Sequence, residues 1–425
     1  MAEVDTSLRL GRLDDWARIA ILALTLVLCC AFGLVTPYLL AIIGMVLAVR
    51  MAMARELLAA YREATAKLFV FAFAVLVVCY AITARQPGDV AFAINFIMLL
   101  LFAPIRAELA KAARPGNARR IANLAALGTV VALGVALFRL VILGELRADS
   151  IMFGAILLAN TAVLLGFLSV IGTLTEGPNR WAYLLTPLLG VVVASLTGSR
   201  GPMIAILPLI VVAAIFVARH HKIAPWRAAL SATGYAAVCA AIVWSMQGRA
   251  TTLFSAIGQA AKTGAMGAGA TMGARGSEIA DSSTQIRLDL YRAGYQAFLE
   301  NPIFGHGWAR LMSAAYPYLP ADKTPYAELP QLHNDIVNFS VAAGLVGVAV
   351  YLLLLAAPLA GVLRTPRDSQ FNVRLYGGIV LLVAYACDGL TDLMLGFEFH
   401  TALYVCLTAV LIGYCQDNEP HASAR

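Results

Sequence analysis

Apolar runs long enough to cross a bilayer recur twelve times along this 425-residue sequence, with charged residues gathered between them. Their approximate bounds are 17–33, 35–49, 68–84, 90–105, 121–142, 151–172, 181–197, 202–218, 226–246, 335–358, 375–391 and 397–414. A hydrocarbon core about 30 Å thick takes roughly 20 helical residues. The shorter runs suit tilted or interrupted helices, with Gly33, Pro37 and Pro104 as break points. Only 13% of residues are charged, about half the share of an ordinary soluble domain, which excludes that class. The expected fold class is an all-α polytopic membrane protein with about twelve transmembrane helices. One long, partly helical outer loop joins spans nine and ten.

The net charge of +7 would suggest nucleic acid in a soluble protein; here it belongs to the loops, and no nucleic-acid partner is expected. With the N-terminus inside, the inner connections hold Arg50, Arg55, Arg62 and Lys67, then Arg106, Lys111, Arg114, Arg119 and Arg120. Arg180 follows, then Arg219, Lys222 and Arg227, and finally Arg364, Arg367 and Arg374. The short outer connections hold only Arg85, Arg147 and Arg200. Basic residues favour the cytoplasmic side, so both termini are expected there. Arg9, Arg12 and Arg18 precede the first apolar run without a small-residue cleavage site after it, which reads as an uncleaved span rather than a signal peptide. Three parts follow: spans one to nine over 1–246, an outer loop over 247–334, and spans ten to twelve with a tail over 335–425.

The seven cysteines lie in apolar runs and make no Cys-x-x-Cys pair, and the six histidines are scattered. No metal site and no cofactor is expected. The outer loop opens on "TGAMGAGATMGARG", a flexible Gly/Ala stretch that lacks the Gly-Lys-Ser/Thr ending of a phosphate-binding loop. In "DSSTQIRLDLYRAGYQAFLENP", Ile286, Leu290, Ala293 and Ala297 recur at helical spacing, with Ser282 or Ser283 as cap and Asn301-Pro302 as stop. A Gly turn, "FGHGW", and an irregular Pro/Tyr-rich passage complete the loop.

Three polar features fall on the outer side. "TGSRGP" places Arg200 between spans seven and eight, where it either meets an anion or snorkels to lipid phosphate. Arg287 sits on the loop helix with Arg275 and Arg292 nearby; a solvated helix face is the plain alternative. His333-Asn334-Asp335 opens span ten. Asn334 or Asp335 suits a helix N-cap, but a cap does not account for His333. Arginine forks bind phosphate in bidentate fashion, and histidine transfers protons near neutral pH. Together they suggest chemistry between a phosphorylated lipid and a hydroxyl. In "CDGLTDLMLGFEFH", Asp388 sits at bilayer depth and could orient His333 or an arginine; the alternative is a structural ion pair, or plain exposure for Asp392. His306, in the Gly turn, reads as exposed or structural.

"SRGP", "IRLDLYRAGYQAFLENPIFGHGW" and "LHNDIVNFSVAAGLVG" resemble the O-antigen ligase and polymerase superfamily of bacterial envelope glycosyltransferases. The matching positions are Arg200; Arg287 with Asn301, Pro302, Gly305 and Gly307; His333-Asn334; and Gly344 with Gly347. Tyr291 stands where many relatives have tryptophan. The resemblance implies metal-independent, inverting glycosyl transfer on the periplasmic face of the bacterial inner membrane. The donor would be O-antigen on undecaprenyl diphosphate and the acceptor lipid A–core oligosaccharide. It implies His333 as the base and Arg200 and Arg287 as diphosphate ligands, with Asn334 orienting His333 or capping span ten. Arg275, outside the matched positions, is a further phosphate candidate, and Asp388 is a candidate from its depth alone. A polymerase or a protein-glycosylating transferase of the same superfamily shares the donor. A secondary transporter is the alternative from another class, and the absence of repeated halves argues against it.

Overall fold

The computed structural model describes residues 15–144, 148, 154–262, 272–326 and 328–417, and gives backbone alone for 247–262, 272–283 and 325. Among them there is no strand. The first nine long helices are α1 (Asp15–Phe32), α2 (Val35–Met53), α3 (Ala64–Thr83), α4 (Pro87–Ala110), α5 (Asn117–Ile142), α6 (Ala155–Leu174), α7 (Arg180–Leu196), α8 (Met203–His220) and α9 (Pro225–Lys262). After them come α10 (Met272–Glu300), α11 (Asp335–Leu363), α12 (Phe371–Asp388) and α13 (Glu398–Tyr414). Ten of these contain an apolar segment long enough to cross a membrane; α7 and α13 are shorter, and α10 is not such a helix. The chain is thus a multi-pass membrane protein, and each expected span has a helix at its place.

Burial sorts the helices by depth in the bundle. The span in α6 is 89% buried and that in α9 only 6%, so α6 runs through the centre and α9 faces outward. Among described residues α13 is buried along almost its whole length. It is short because the turn before it, 389–397, is tucked among the helices. Such buried irregular backbone survives only when protein groups satisfy it. Here Met394 N and Leu395 N donate to the buried carboxylate of Asp335 at 2.8 and 3.2 Å, and Gly396 N donates to Thr401 Oγ1 at 2.9 Å.

A second interruption lies inside α11. Gly344 adopts φ +64°, ψ −148° and breaks the helical hydrogen bonds. The Gly turn after α10 replaces them: His306 N donates to Val341 O at 2.8 Å, Gly307 N to Ala342 O at 2.9 Å, and Leu345 N to Pro302 O at 2.7 Å. A Cβ on Gly344 would lie 2.3 Å from the Ile303 carbonyl, which only glycine allows. Trp308 clamps the same turn, its ring 5.3 Å from Phe96 and 5.5 Å from Phe339. His306 is structural, its Nε2 2.7 Å from Ala297 O.

Two sequence expectations are corrected. Helix α10 begins at Met272, so Ser282 and Ser283 lie inside it, and 272–276 of the Gly/Ala stretch is helical; residues 263–271 lie outside the described ones. Isolated glycines cost a helix only about 1 kcal/mol each, and no proline stops this one. The Gly33 break stands, with φ +52° between α1 and α2. Pro104 is carried inside α4.

Candidate active site

The site is built at the start of α11. Asn334 has an extended backbone, and its Oδ1 accepts Val337 N at 3.1 Å, the expected N-cap. Its Nδ2 donates to Leu390 O at 3.0 Å, and Asp335 N donates to Gly389 O at 2.7 Å. The cap therefore also staples α11 to the 389–397 turn.

That turn delivers a carboxylate to His333. His333 Nδ1 lies 3.1 Å from Asp392 Oδ1. Gln331 Nε2 donates to the same oxygen at 2.9 Å, and Gln331 Oε1 accepts His333 N at 3.1 Å. Asn338, fully buried, holds Gln331 Oε1 through its Nδ2 at 3.2 Å and accepts Leu332 N at 3.0 Å. His333 itself takes φ +52°, a left-handed conformation unusual for a residue other than glycine.

Asp392 is only 4% exposed. Burial pushes its pKa up, but the hydrogen bonds from His333 and Gln331, and the charge His333 carries once it is protonated, outweigh that, and it falls below its usual 3.8. A carboxylate so held can only accept, so the imidazole carries its proton on Nδ1. The Nε2 lone pair then points away from Asp392, with no hydrogen-bond partner among the described residues. An imidazole held this way is ready to take a proton at Nε2.

Two of the arginines reach this neighbourhood. Arg200 is exposed, and its loop packs on the turn: a Cβ on Gly201 would meet Thr391 Oγ1 at 2.6 Å. Arg287, half-buried on α10, lies one helical turn before Tyr291. The Tyr291 hydroxyl sits 2.9 Å from His333 O and 3.1 Å from Leu390 O and donates between them. Burial raises the pKa of that phenol, and the nearby Arg287 charge partly opposes the rise. The side chain of Arg275 lies outside the described residues. Asp388 does not orient His333. It is buried, its Oδ1 has no hydrogen-bond partner among the described residues, and its backbone carbonyl closes the turn by accepting Thr391 N and Asp392 N, each at 3.0 Å. The reason is reach: Asp388 ends α12 and faces inward, whereas Asp392 lies on the turn below His333. The exposure expected of Asp392 is corrected for the same reason.

Residues 184–352 match a protein family described as O-antigen ligase. Over that stretch the chain is similar to the O-antigen ligase and polymerase superfamily. No curated protein matches it. Members of this family are glycosyltransferase-like enzymes. The matched stretch contains Arg200, Arg275, Arg287 and His333 but stops 40 residues short of Asp392, so the carboxylate on the histidine comes from beyond it. Sequence reading passed over Gln331 and took Tyr291 only as a departure from the family pattern. Gln331 stands two residues before His333, and Tyr291 one helical turn after Arg287; those spacings are the signal that could have found them.

Proposed function

We propose that the chain is an O-antigen ligase. It transfers O-antigen polysaccharide from undecaprenyl diphosphate to a sugar hydroxyl of lipid A–core, on the periplasmic face of the bacterial inner membrane. The observation that carries this reading is His333, fixed at Nδ1 by Asp392 with Nε2 open, at the end of the bundle where the Arg200 loop and the Arg287 helix meet the same turn. In the step envisaged, His333 Nε2 takes the proton of the acceptor hydroxyl while its oxygen bonds to the anomeric carbon. The bond from that carbon to the diphosphate breaks, and its electron pair leaves with the lipid diphosphate. Attack opposite the leaving group inverts the anomeric centre. Arg200 and Arg287 stabilise the departing charge through bidentate contacts, a task that a diphosphate leaving group requires more than protonation. Asp392 and Gln331 orient His333, Asn334 holds the helix start, and Arg275 is a further candidate for the diphosphate.

The test is reconstitution with undecaprenyl diphosphate-linked O-antigen and lipid A–core, with and without a chelator. Linked product should form in both. His333→Ala at matched expression should lose roughly 10²- to 10⁴-fold in rate, the usual contribution of a general base. Arg200→Lys and Arg287→Lys should restore little over the alanine variants, because a point charge cannot replace the fork. Full activity of His333→Ala would remove its role as base. A longer lipid-linked glycan in place of lipid A–core product would make the chain a polymerase.

A further inference from the structure

Away from His333, α8 and α9 leave a groove at their connected ends. The N-terminal end of α8 lies by Arg200 and Gly201, and its 18 residues carry the chain about 27 Å to the other end of the bundle. There the facing residues Ala214, Ala218, Ala228 and Ala232 are too small to fill the space between the helices. A cavity of about 770 Å³ remains, with Arg219 and Lys222 in its lining. It shares those four alanines with a narrower apolar space of about 110 Å³ that reaches Phe167 and Tyr235.

Charge and conformation both mark this groove. Among the described residues neither Arg219 nor Lys222 has an ion-pair partner. Lys222 follows the C-terminus of α8 in a left-handed conformation, φ +53°, with Ile223 N donating to Ala218 O at 2.9 Å. Glycine is the usual residue at such a position, so a lysine there holds a charge at a conformational cost. Exposed Trp181 and Trp226 sit at the same end, with Arg180 over the first ring at 5.6 Å and Arg227 over the second at 5.1 Å. This is the pattern of a membrane–water interface. The α9 wall is almost wholly outward-facing, so lipid has lateral access.

We propose that this groove is a binding site for an anionic membrane phospholipid, its phosphate between Arg219 and Lys222 and an acyl chain along the alanine wall. The site is separate from the transfer site. A diphosphate bound here would lie about one membrane thickness from His333, so the occupant is not the reacting donor. The inference does not rest on the proposed ligase activity.

The experiment is native mass spectrometry of the full-length protein, presented with equal amounts of phosphatidylglycerol and phosphatidylcholine of identical acyl chains. The wild type should retain phosphatidylglycerol several-fold over phosphatidylcholine, and Arg219→Gln/Lys222→Gln should retain both equally. Lys222→Gly should raise Tm in lipid-free detergent, by relieving the backbone, and still weaken phosphatidylglycerol retention. That combination separates a lost ligand from a damaged fold. Equal retention of the two lipids by the wild type, or an unchanged preference in the double variant, would overturn the proposal.

Discussion

His333 keeps a left-handed backbone that costs free energy, and four groups hold it there: Gln331 Oε1 on its N–H, Tyr291 on its carbonyl, Asp392 on its ring, and Asn334 stapling the next residue to the turn. Strain retained under so many restraints is typical of functional positions. Asp392→Asn should therefore slow glycan transfer at least about tenfold while leaving donor binding near wild type, because an amide can present an N–H to Nδ1 and reverse the tautomer; single-turnover rates and donor affinity measured separately check this. The same carboxylate has a pH signature. Its folded pKa lies below its usual 3.8, so its stabilisation is complete above that value and is lost as pH falls through the lower folded value. The Tm difference between wild type and Asp392→Asn should not narrow from pH 7 down to about pH 4 and should close only under stronger acid. A gap that closes between pH 7 and 5 would contradict the assignment.

At the scale of elements, the site depends on two pieces of irregular backbone inside an otherwise helical bundle. The break at Gly344 lets the Gly turn after α10 enter α11, and the turn at 389–397 brings Asp392 beneath His333. Each is completed by donors from a distant segment, so neither helix nor turn keeps its shape alone. Gly344→Ala places a methyl against the Ile303 carbonyl in a conformation that favours glycine. It should cost about 1–3 kcal/mol in backbone strain, with the clash added. Thermal unfolding in detergent should show a clear drop in Tm, together with proteolytic opening of the 301–307 turn. An unchanged Tm would mean that the turn and α11 are not coupled.

Across the whole molecule, polar groups gather at the two ends of the bundle. At one end Arg18 meets Glu108 at 2.7 Å, Asn117 Nδ2 meets Tyr414 O at 3.0 Å, and fully buried Arg374 bonds Asp368 at 2.8 Å and Cys415 O at 2.8 Å. The start of α1 and the end of α13 therefore share that end, as an even number of crossings requires. The other end holds His333, Asp392 and the loops of Arg200 and Trp308. We propose, on the positive-inside rule, that the first end faces the cytoplasm. A single cysteine introduced at exposed Ser313 should react with a membrane-impermeant maleimide on intact spheroplasts, and one at Arg367 only after lysis. The reverse pattern would invert the orientation and remove the periplasmic reading of the site.

The apolar runs determined that this chain is helical and crosses the membrane many times, because no other arrangement satisfies so much backbone in lipid. Local pattern also placed Asn334 as a cap and singled out His333 and the glycines around α11, since a cap and a φ > 0 turn are decided within a few residues. The partner of His333 was not legible in that way. Asp388 and Asp392 stand four residues apart in the same apolar turn, with similar local surroundings. Which of them reaches an imidazole 59 residues earlier in the chain depends on how α11, α12 and α13 pack. The helical start of α10 was equally hidden, because glycines weaken a helix without forbidding one. Tyr291, which in sequence is only a departure from the common tryptophan, became the hydroxyl joining His333 to the turn once α10 was laid across both. Sequence set the elements and the chemistry at hand; packing decided which carboxylate meets which base.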